Sequence, residues 1–416
     1  MLNCRRGRIR RTTLGKHSMS DEGEMQENGA PDENSALLAR IHRPVTLPNE
    51  LTGQRAPCDI FSARGTLMVK GGAVIPLRLQ DPLQPLRIFC QAKEANRISD
   101  LDPFRELKRV SLALSKISER IARNESVSSG ELVALARQVF ELWFLDADAC
   151  LGYARLAKFG QPSVCHVIHV ALVAAELASA SGFQRDMVES VIGAALTMNL
   201  AKLALHDEMF NLDGAPNAAM RRDMRAHPME GVSLLRRIGE FGEPWFDAVG
   251  YHHENIDGSG YPEGLKSTAI PLPARMVRVA DTLAARLTGR KARPPQHWNI
   301  HHARDVRHLA AHVFGSDLER LDSPLSHGLL RALNRFPPGS LVRLSSNELA
   351  VVTRRIPGQA STPRQVFAVT DALGRPLELP RLRRIAARQC EIRGYAHDAL
   401  PRLPDVDWNK AWGYGW

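Results

Sequence analysis

The sequence predicts a mainly α protein with a small β-rich module ahead of the helices and a second small β-rich element after them. Three observations lead there. Between residues 101 and 330 apolar side chains recur at three- and four-residue steps, the spacing of one face of a helix. Residues 43–91 instead form short β-type runs divided by glycine turns. Beyond Leu330, Phe336-Pro337-Pro338-Gly339 breaks the helical pattern and short alternating runs resume. At 416 residues the chain exceeds one compact core, and two to three domains are expected. The boundaries are read as a disordered tail over 1–36, a β-rich module over 37–100, a helical connector over 101–150, a helical core over 151–330, a β-rich element over 331–395 and a tail over 396–416.

Taken in order, the N-terminal tail has a basic piece, Arg5 to Lys16, and an acidic one, Asp21 to Glu33, with few apolar residues to bury. In the first module, Pro57-Cys58-Asp59-Ile60-Phe61 runs into Ala63-Arg64-Gly65, then Thr66 to Lys70, Gly71-Gly72 and Ala73-Val74-Ile75, which reads as strand, glycine turn, strand. Helix follows over residues 104–122, where Leu107, Val110, Leu114, Ile117 and Ile121 share a face. Ser129 opens a second helix with Leu132, Leu135, Ala136, Val139 and Phe140 inward. At the other end, Leu341 to Leu344 and Leu349 to Val352 alternate about an Asn347 turn. Val366 to Thr370 and the Leu373-Gly374-Arg375 turn continue that element.

Composition excludes several classes. The six cysteines have no CxxC spacing, so neither a zinc ribbon nor a disulfide framework is expected and a reducing cytoplasm is the simplest home. The longest uncharged apolar stretch, around residues 190–201, is read as too short to span a bilayer. The formal charge of +10 biases the chain modestly toward anionic partners. Arg354, Arg355, Arg381, Arg383, Arg384 and Arg388 cluster without aromatic platforms or a groove-reading element, which argues against nucleic acid.

The most informative stretch is His252-His253-Glu254-Asn255-Ile256-Asp257-Gly258-Ser259-Gly260-Tyr261-Pro262, two adjacent imidazoles followed by a glycine-punctuated loop. Neutral imidazoles suit a transition metal, and glycines let a backbone turn through positive φ and approach a ligand closely. The run resembles the signature of the HD-GYP family, an all-helical HD-type fold. That resemblance implies metal ligation by His252 and His253. It also implies a loop of Asp257, Gly258, Gly260, Tyr261 and Pro262 beside a bound cyclic dinucleotide. Further family positions fall in order. His166 in Cys165-His166-Val167-Ile168-His169 stands at the first-histidine helix and His227 in Arg225-Ala226-His227-Pro228 at the single-histidine helix. Asp281 in Val277-Arg278-Val279-Ala280-Asp281 stands at the closing aspartate. Arg290 lies where the family contacts phosphate, although a solvated helix-end arginine fits it equally; Ala284 replaces a second aspartate of the family.

The pair that names the family departs from pattern. Met198 stands at the histidine position and Asn199 at the bridging aspartate, while Lys202 keeps the lysine that follows, a retained catalytic-type residue. The literal His206-Asp207 dipeptide is read as a decoy, because its offset to the next lysine is wrong and its neighbours match the family's next segment. An amide cannot neutralise two divalent ions as a bridging carboxylate does, and a thioether is a soft ligand suited to copper(I). The expectation is that His166, His227, His252, His253 and Asp281 converge on one cavity lined by Met198 and Asn199. That cavity would hold at reduced occupancy one divalent ion of iron, manganese or zinc, or none.

Three functional classes stay open. One is a degenerate domain that binds cyclic di-GMP or a signalling partner, such as a protein of the diguanylate cyclase type, without efficient hydrolysis. Another is a working cyclic di-GMP phosphodiesterase yielding pGpG or GMP. The third is a scaffold lacking ligand and metal. A homodimer is compatible with each.

Overall fold

The structure, a computed structural model, describes residues 42–63, 65–79, 86–157, 160–288, 306–355, 362–386, 390–396, 399 and 406–415. The expected N-terminal tail over 1–36 lies outside these residues. The first module is an antiparallel sheet ordered β1-β4-β2-β3, from β1 (His42–Thr46), β2 (Ile60–Phe61), β3 (Leu67–Val69) and β4 (Arg87–Gln91). Val45, Ile60, Ile75, Ile88 and Cys90 bury one face. Residues 73–75, expected as a strand, contribute only an isolated bridge from Val74 to Arg55.

The short α1 (Ala92–Ala95) leads to α2 (Pro103–Ala122), whose first turn is capped by the Asp102 carboxylate accepting from the Phe104 and Arg105 N–H groups. Next comes α3 (Ser129–Leu156), opened by a capping box between Ser128 and Glu131. Leu107, Val110, Leu114, Leu132 and Val139 belong to the same buried cluster as the later helices, so residues 101–150 are part of the core instead of a connector. The expected boundary at 150/151 falls inside α3. That helix bends at Asp146 (φ −147°, ψ 77°) without ending, because its apolar face continues on both sides.

Five helices, together with the Asp281 helix that follows them, carry the candidate site or frame it: α4 (Pro162–Ala180), α5 (Arg185–Thr197), α6 (Leu203–Asn211), α7 (Ala218–Ile238) and α8 (Glu243–Tyr251). Then follow α9 (Leu272–Thr288), α10 (Val306–Phe314) and α11 (Ser323–Leu333). Central α4 packs on α3, α5, α6, α9 and α11 and is apolar on most sides. By length and composition two described segments could cross a bilayer. They are Pro162–Ala180, with mean hydropathy 1.6, and Arg185–Asn211, with mean hydropathy 1.4; this corrects the expectation that every apolar run is too short. Most of both is buried against neighbouring helices, the pattern of core helices. The end of α5 is pinned from the side. Gly193 leaves room for Trp245, whose ring would lie 2.0 Å from a Cβ there, and the Trp245 indole N–H donates to Thr197 Oγ1 at 2.9 Å.

After the helices, β5 (Leu341–Leu344), β6 (Leu349–Val351), β7 (Gln365–Thr370), β8 (Pro376–Arg384) and β9 (Ile392–Tyr395) form an antiparallel sheet ordered β8-β7-β6-β5-β9. The expected turns are present, with Asn347 at φ 70° and Gly374 at φ 82°. The expected C-terminal tail is corrected: α12 (Trp408–Trp412) folds back, and Trp412 and Tyr414 are among the largest fully buried side chains. Trp412 occupies the space a Cβ on Gly152 would fill, at 2.2 Å. The Tyr414 hydroxyl donates to Asp146 Oδ2 at 2.8 Å, and Arg354 donates to the same carboxylate. Arg355 joins Asp148 at 2.5 Å and Glu176 at 3.1 Å, and Arg383 pairs with Glu348 at 2.9 Å. These arginines tie the sheet to the helices and within itself, while Arg388 lies outside the described residues.

Candidate metal centre

Local sequence sets the tautomer of two imidazoles. Pro228, inside α7, has no N–H for the Met224 carbonyl four residues back. That carbonyl accepts from His227 Nδ1 at 2.8 Å instead. At the end of α8 the carbonyls run out of helical donors, and Val249 O accepts from His252 Nδ1 at 2.8 Å. Both rings therefore carry their proton on Nδ1 and present Nε2 lone pairs, which face each other at 3.2 Å. Two lone pairs at that distance repel unless a proton or cation lies between them. Burial disfavours the proton, pushing His227 down to about 4 and His252 to about 3.

His253 completes the group: the ligand atoms of His227, His252 and His253 all lie within 4.8 Å of one another. Its Nε2 is buried without a hydrogen-bond partner, and burial holds its pKa well below the usual value. Neutral imidazoles, orphaned or opposed nitrogens and a buried position fit a divalent transition ion. The second part of the predicted set is also assembled. His166 Nε2 lies 2.9 Å from Asp281 Oδ1. Burial alone would raise the Asp281 pKa, but the His166 hydrogen bond and the Arg278 charge outweigh it and hold the carboxylate ionised. The Asp281 charge favours the protonated forms of His227 and His252, against the larger effect of burial.

Met198 and Asn199 are buried at the junction of α5 and α6, and Asn199 Oδ1 has no hydrogen-bond partner. Lys202 pairs with Glu230 at 3.3 Å, one turn from His227.

The signature loop is built around His253 and Glu254. Tyr261 stacks on the His253 ring, with centroids 4.7 Å apart at 26°. The buried Glu254 carboxylate accepts three backbone N–H groups, from Glu263 at 2.7 Å and from Gly264 and Leu265 at 3.0 Å. Asp257 Oδ1 accepts from the Ser259 N–H and hydroxyl, Gly258 sits at φ 82°, and the Tyr261-Pro262 peptide is cis. Gly260 answers to the chain itself: a Cβ there would lie 2.4 Å from the Asn255 nitrogen and 2.5 Å from His253 O. Arg290 lies outside the described residues.

Three residues were not assigned to the site from sequence. Arg278 donates to Asn255 Oδ1 at 3.0 and 3.2 Å and reaches Asp281 at 3.8 Å, joining loop and carboxylate. Its position one turn before Asp281 was the available signal. Exposed Arg225 lies 5.6 Å over the Tyr261 ring. His206, set aside as half of a decoy, is brought into the cluster with its ring 5.2 Å from His227 and perpendicular to it. Asp207 points elsewhere, accepting from the Ser163 N–H and hydroxyl at 2.9 and 2.8 Å.

Residues 142–312 of this helical core match the HD_5 family, described as an HD domain. The chain is 25% identical over 296 residues to a cyclic di-GMP phosphodiesterase of Pseudomonas aeruginosa, covering 71% of this chain and 68% of that protein. It is 28% identical to a 3'3'-cGAMP-specific phosphodiesterase of Vibrio cholerae, over 41% of this chain and 38% of that one. It is 38% identical to the cyclic di-GMP phosphodiesterase response regulator RpfG of Xanthomonas campestris, over 29% of this chain. The match spans 32% of RpfG, so most of that relative lies outside it. With the signature loop, these matches support an HD-GYP type of HD domain over residues 142–312.

Proposed function

We propose that this protein is a cytoplasmic HD-GYP signalling protein that binds cyclic di-GMP and holds one divalent transition ion tightly, at His227, His252 and His253, without efficient hydrolysis. The observation that carries this reading is the contrast within the site. A neutral three-imidazole set is assembled, while the family resemblance puts the buried Met198 and Asn199 at the positions of a histidine and a bridging aspartate. A bound ion would supply Lewis acidity toward a phosphoryl oxygen. The chain's own residues orient and neutralise. The Met224 and Val249 carbonyls fix the His227 and His252 rings, and Tyr261 backs His253. Exposed Arg225 beside Tyr261 offers a guanidinium to a dinucleotide phosphate.

The test is metal content per chain after purification, beside equilibrium binding and turnover of radiolabelled cyclic di-GMP, with 3'3'-cGAMP as a second ligand. The expected result is about one tightly held ion, lost in His227→Ala, with saturable dinucleotide binding and slow or absent cleavage. Turnover of about 1 per second or faster, abolished by His227→Ala, would establish the phosphodiesterase reading instead. One observation favours that second reading: His206 brings an additional imidazole to the cavity. A partner protein and a homodimer remain part of the proposal as routes by which binding is transmitted.

A further inference from the structure

We infer that Arg278 is the phosphate receptor of this site: held in place by Asn255 of the signature loop, its guanidinium takes one phosphodiester of a cyclic dinucleotide through charge-assisted hydrogen bonds. This rests on the dinucleotide reading above and names the residue that recognises the phosphate, a role that the family resemblance gives to Arg290 instead.

Helix and loop together fix the group. Arg278 stands one turn before Asp281 on α9, on the same face. From the other side the loop meets it: Arg278 Nε and Nη2 both donate to Asn255 Oδ1, at 3.2 and 3.0 Å. Asn255 is itself held. Its Nδ2 donates to Ser259 Oγ at 2.9 Å, and the Gly260 backbone lies so near that a Cβ there would meet the Asn255 nitrogen at 2.4 Å. One edge of the planar guanidinium is therefore anchored, and Nη1 is the nitrogen nearest Asp281.

The pairing of this arginine differs from that of its neighbours. Arg275, Arg286 and Arg383 have side chains 20%, 12% and 31% exposed, and they hold carboxylates at 2.6, 2.5 and 2.5 Å. Arg278 is 19% exposed, yet it comes no nearer than 3.8 Å to Asp281 Oδ2, which is beyond hydrogen-bond reach. The other oxygen of that carboxylate is engaged by His166 at 2.9 Å. Among the described residues Nη1 has no hydrogen-bond partner. A guanidinium removed from water is stabilised by an anion on its fork, and the two unesterified oxygens of a phosphodiester match that fork.

Enclosure also separates Arg278 from Arg225. Arg225 is exposed above the Tyr261 ring, so its attraction for a phosphate is screened by salt, whereas that of an enclosed guanidinium is screened much less. Burial raises the Tyr261 hydroxyl pKa, and the charges of Arg278 and Arg225 both work against that rise. Both guanidinium groups thus act at the tyrosine of the signature loop.

The experiment is equilibrium binding to the full chain of radiolabelled cyclic di-GMP and, by calorimetry, of bis(4-nitrophenyl) phosphate as a plain phosphodiester. Each is measured at about 0.05 M and about 0.5 M salt, with bound metal per chain determined on the same samples. Arg278→Gln is expected to weaken both ligands about 10- to 100-fold at either salt, with metal content equal to the parent. Asn255→Ala keeps the charge and frees its position, so it should weaken both ligands by less. Arg225→Gln should weaken binding at low salt only. An Arg278→Gln protein that binds both ligands as the parent does would overturn the assignment. So would one that loses metal together with ligand, because the arginine would then be a brace of the loop. Should Arg278→Gln be unfolded by circular dichroism, Arg278→Lys decides: weakened binding at both salts supports the receptor, and parent affinity overturns it. A parent that binds the plain phosphodiester through Arg278 but not the dinucleotide would sink the dinucleotide reading and leave the phosphate receptor standing; a parent that binds neither sinks both.

Discussion

Buried histidines set the acid response of this protein. His206 and His252 are pushed down to about 3 and His227 to about 4, in each case mainly by burial. An unfolded histidine titrates near 6.5, so between these values the unfolded chain binds protons that the folded chain refuses. Stability is therefore full above about pH 6.5 and is lost as pH falls toward 4. Each histidine contributes a slope of about 1.4 kcal/mol per pH unit in that window. Urea unfolding of chelator-treated protein at pH 7, 5.5 and 4.5 measures this; a midpoint that does not move would mean the rings are solvated or charged. Residue identity was legible here and protonation was not. The sequence places His227 before Pro228, but only the fold shows the freed Met224 carbonyl meeting Nδ1.

At the scale of elements, the signature loop and the α5–α6 junction behave differently. The loop was readable because its residues act on near neighbours: Gly258 turns, Asp257 takes the Ser259 hydroxyl, and Glu254 gathers Glu263, Gly264 and Leu265. Gly260 is the exception in its reason. It was read as making room for a ligand, yet what it admits is the backbone of His253 to Asn255. Gly260→Ala should cost about 3 kcal/mol, since no flexible side chain is available to yield. The expected readout is a lowered thermal midpoint together with lost metal uptake, because Tyr261 and His253 shift together. A variant as stable as the parent would show that the loop relaxes freely. At the junction, by contrast, spacing along the chain misled. His206 lies at the wrong offset for the family's pair, yet beyond the 3-10 turn over Leu200–Lys202 its ring comes to 5.2 Å from His227.

On the scale of the whole molecule, the C-terminal residues close the structure. Trp412 and Tyr414 pack with Phe104, their ring centroids 5.8 and 5.5 Å from it, beneath the sheet. Asp146 receives Tyr414 and Arg354 at the bend of α3. Trp412→Ala should destabilise by about 3–5 kcal/mol, as removal of a buried indole does. Asp146→Asn should cost about 1–3 kcal/mol by leaving the half-buried Arg354 without its nearest counter-charge. Denaturant unfolding measures both, and a loss below about 1 kcal/mol for either would show that the C-terminal segment is a peripheral addition.

The sequence by itself determined the α-helical class, the two flanking β elements and the signature loop, and it named His166, His227, His252, His253 and Asp281 as candidates. The class, the β elements and the loop rest on local periodicity and turn chemistry, which a linear chain displays directly, whereas the histidine and aspartate candidates rest on the resemblance to the HD-GYP family. Tertiary structure alone decided that His206 joins the cluster, that Arg278 ties Asn255 to Asp281 and that Arg354 and Arg355 are internal braces. It also decided that Trp412 and Tyr414 form core, with Gly152 and Trp412 meeting across the fold. The physical reason is common to all of these. Each depends on which surfaces are removed from water when distant segments pack, and a polar or aromatic residue acquires its partner only once that packing has fixed its surroundings.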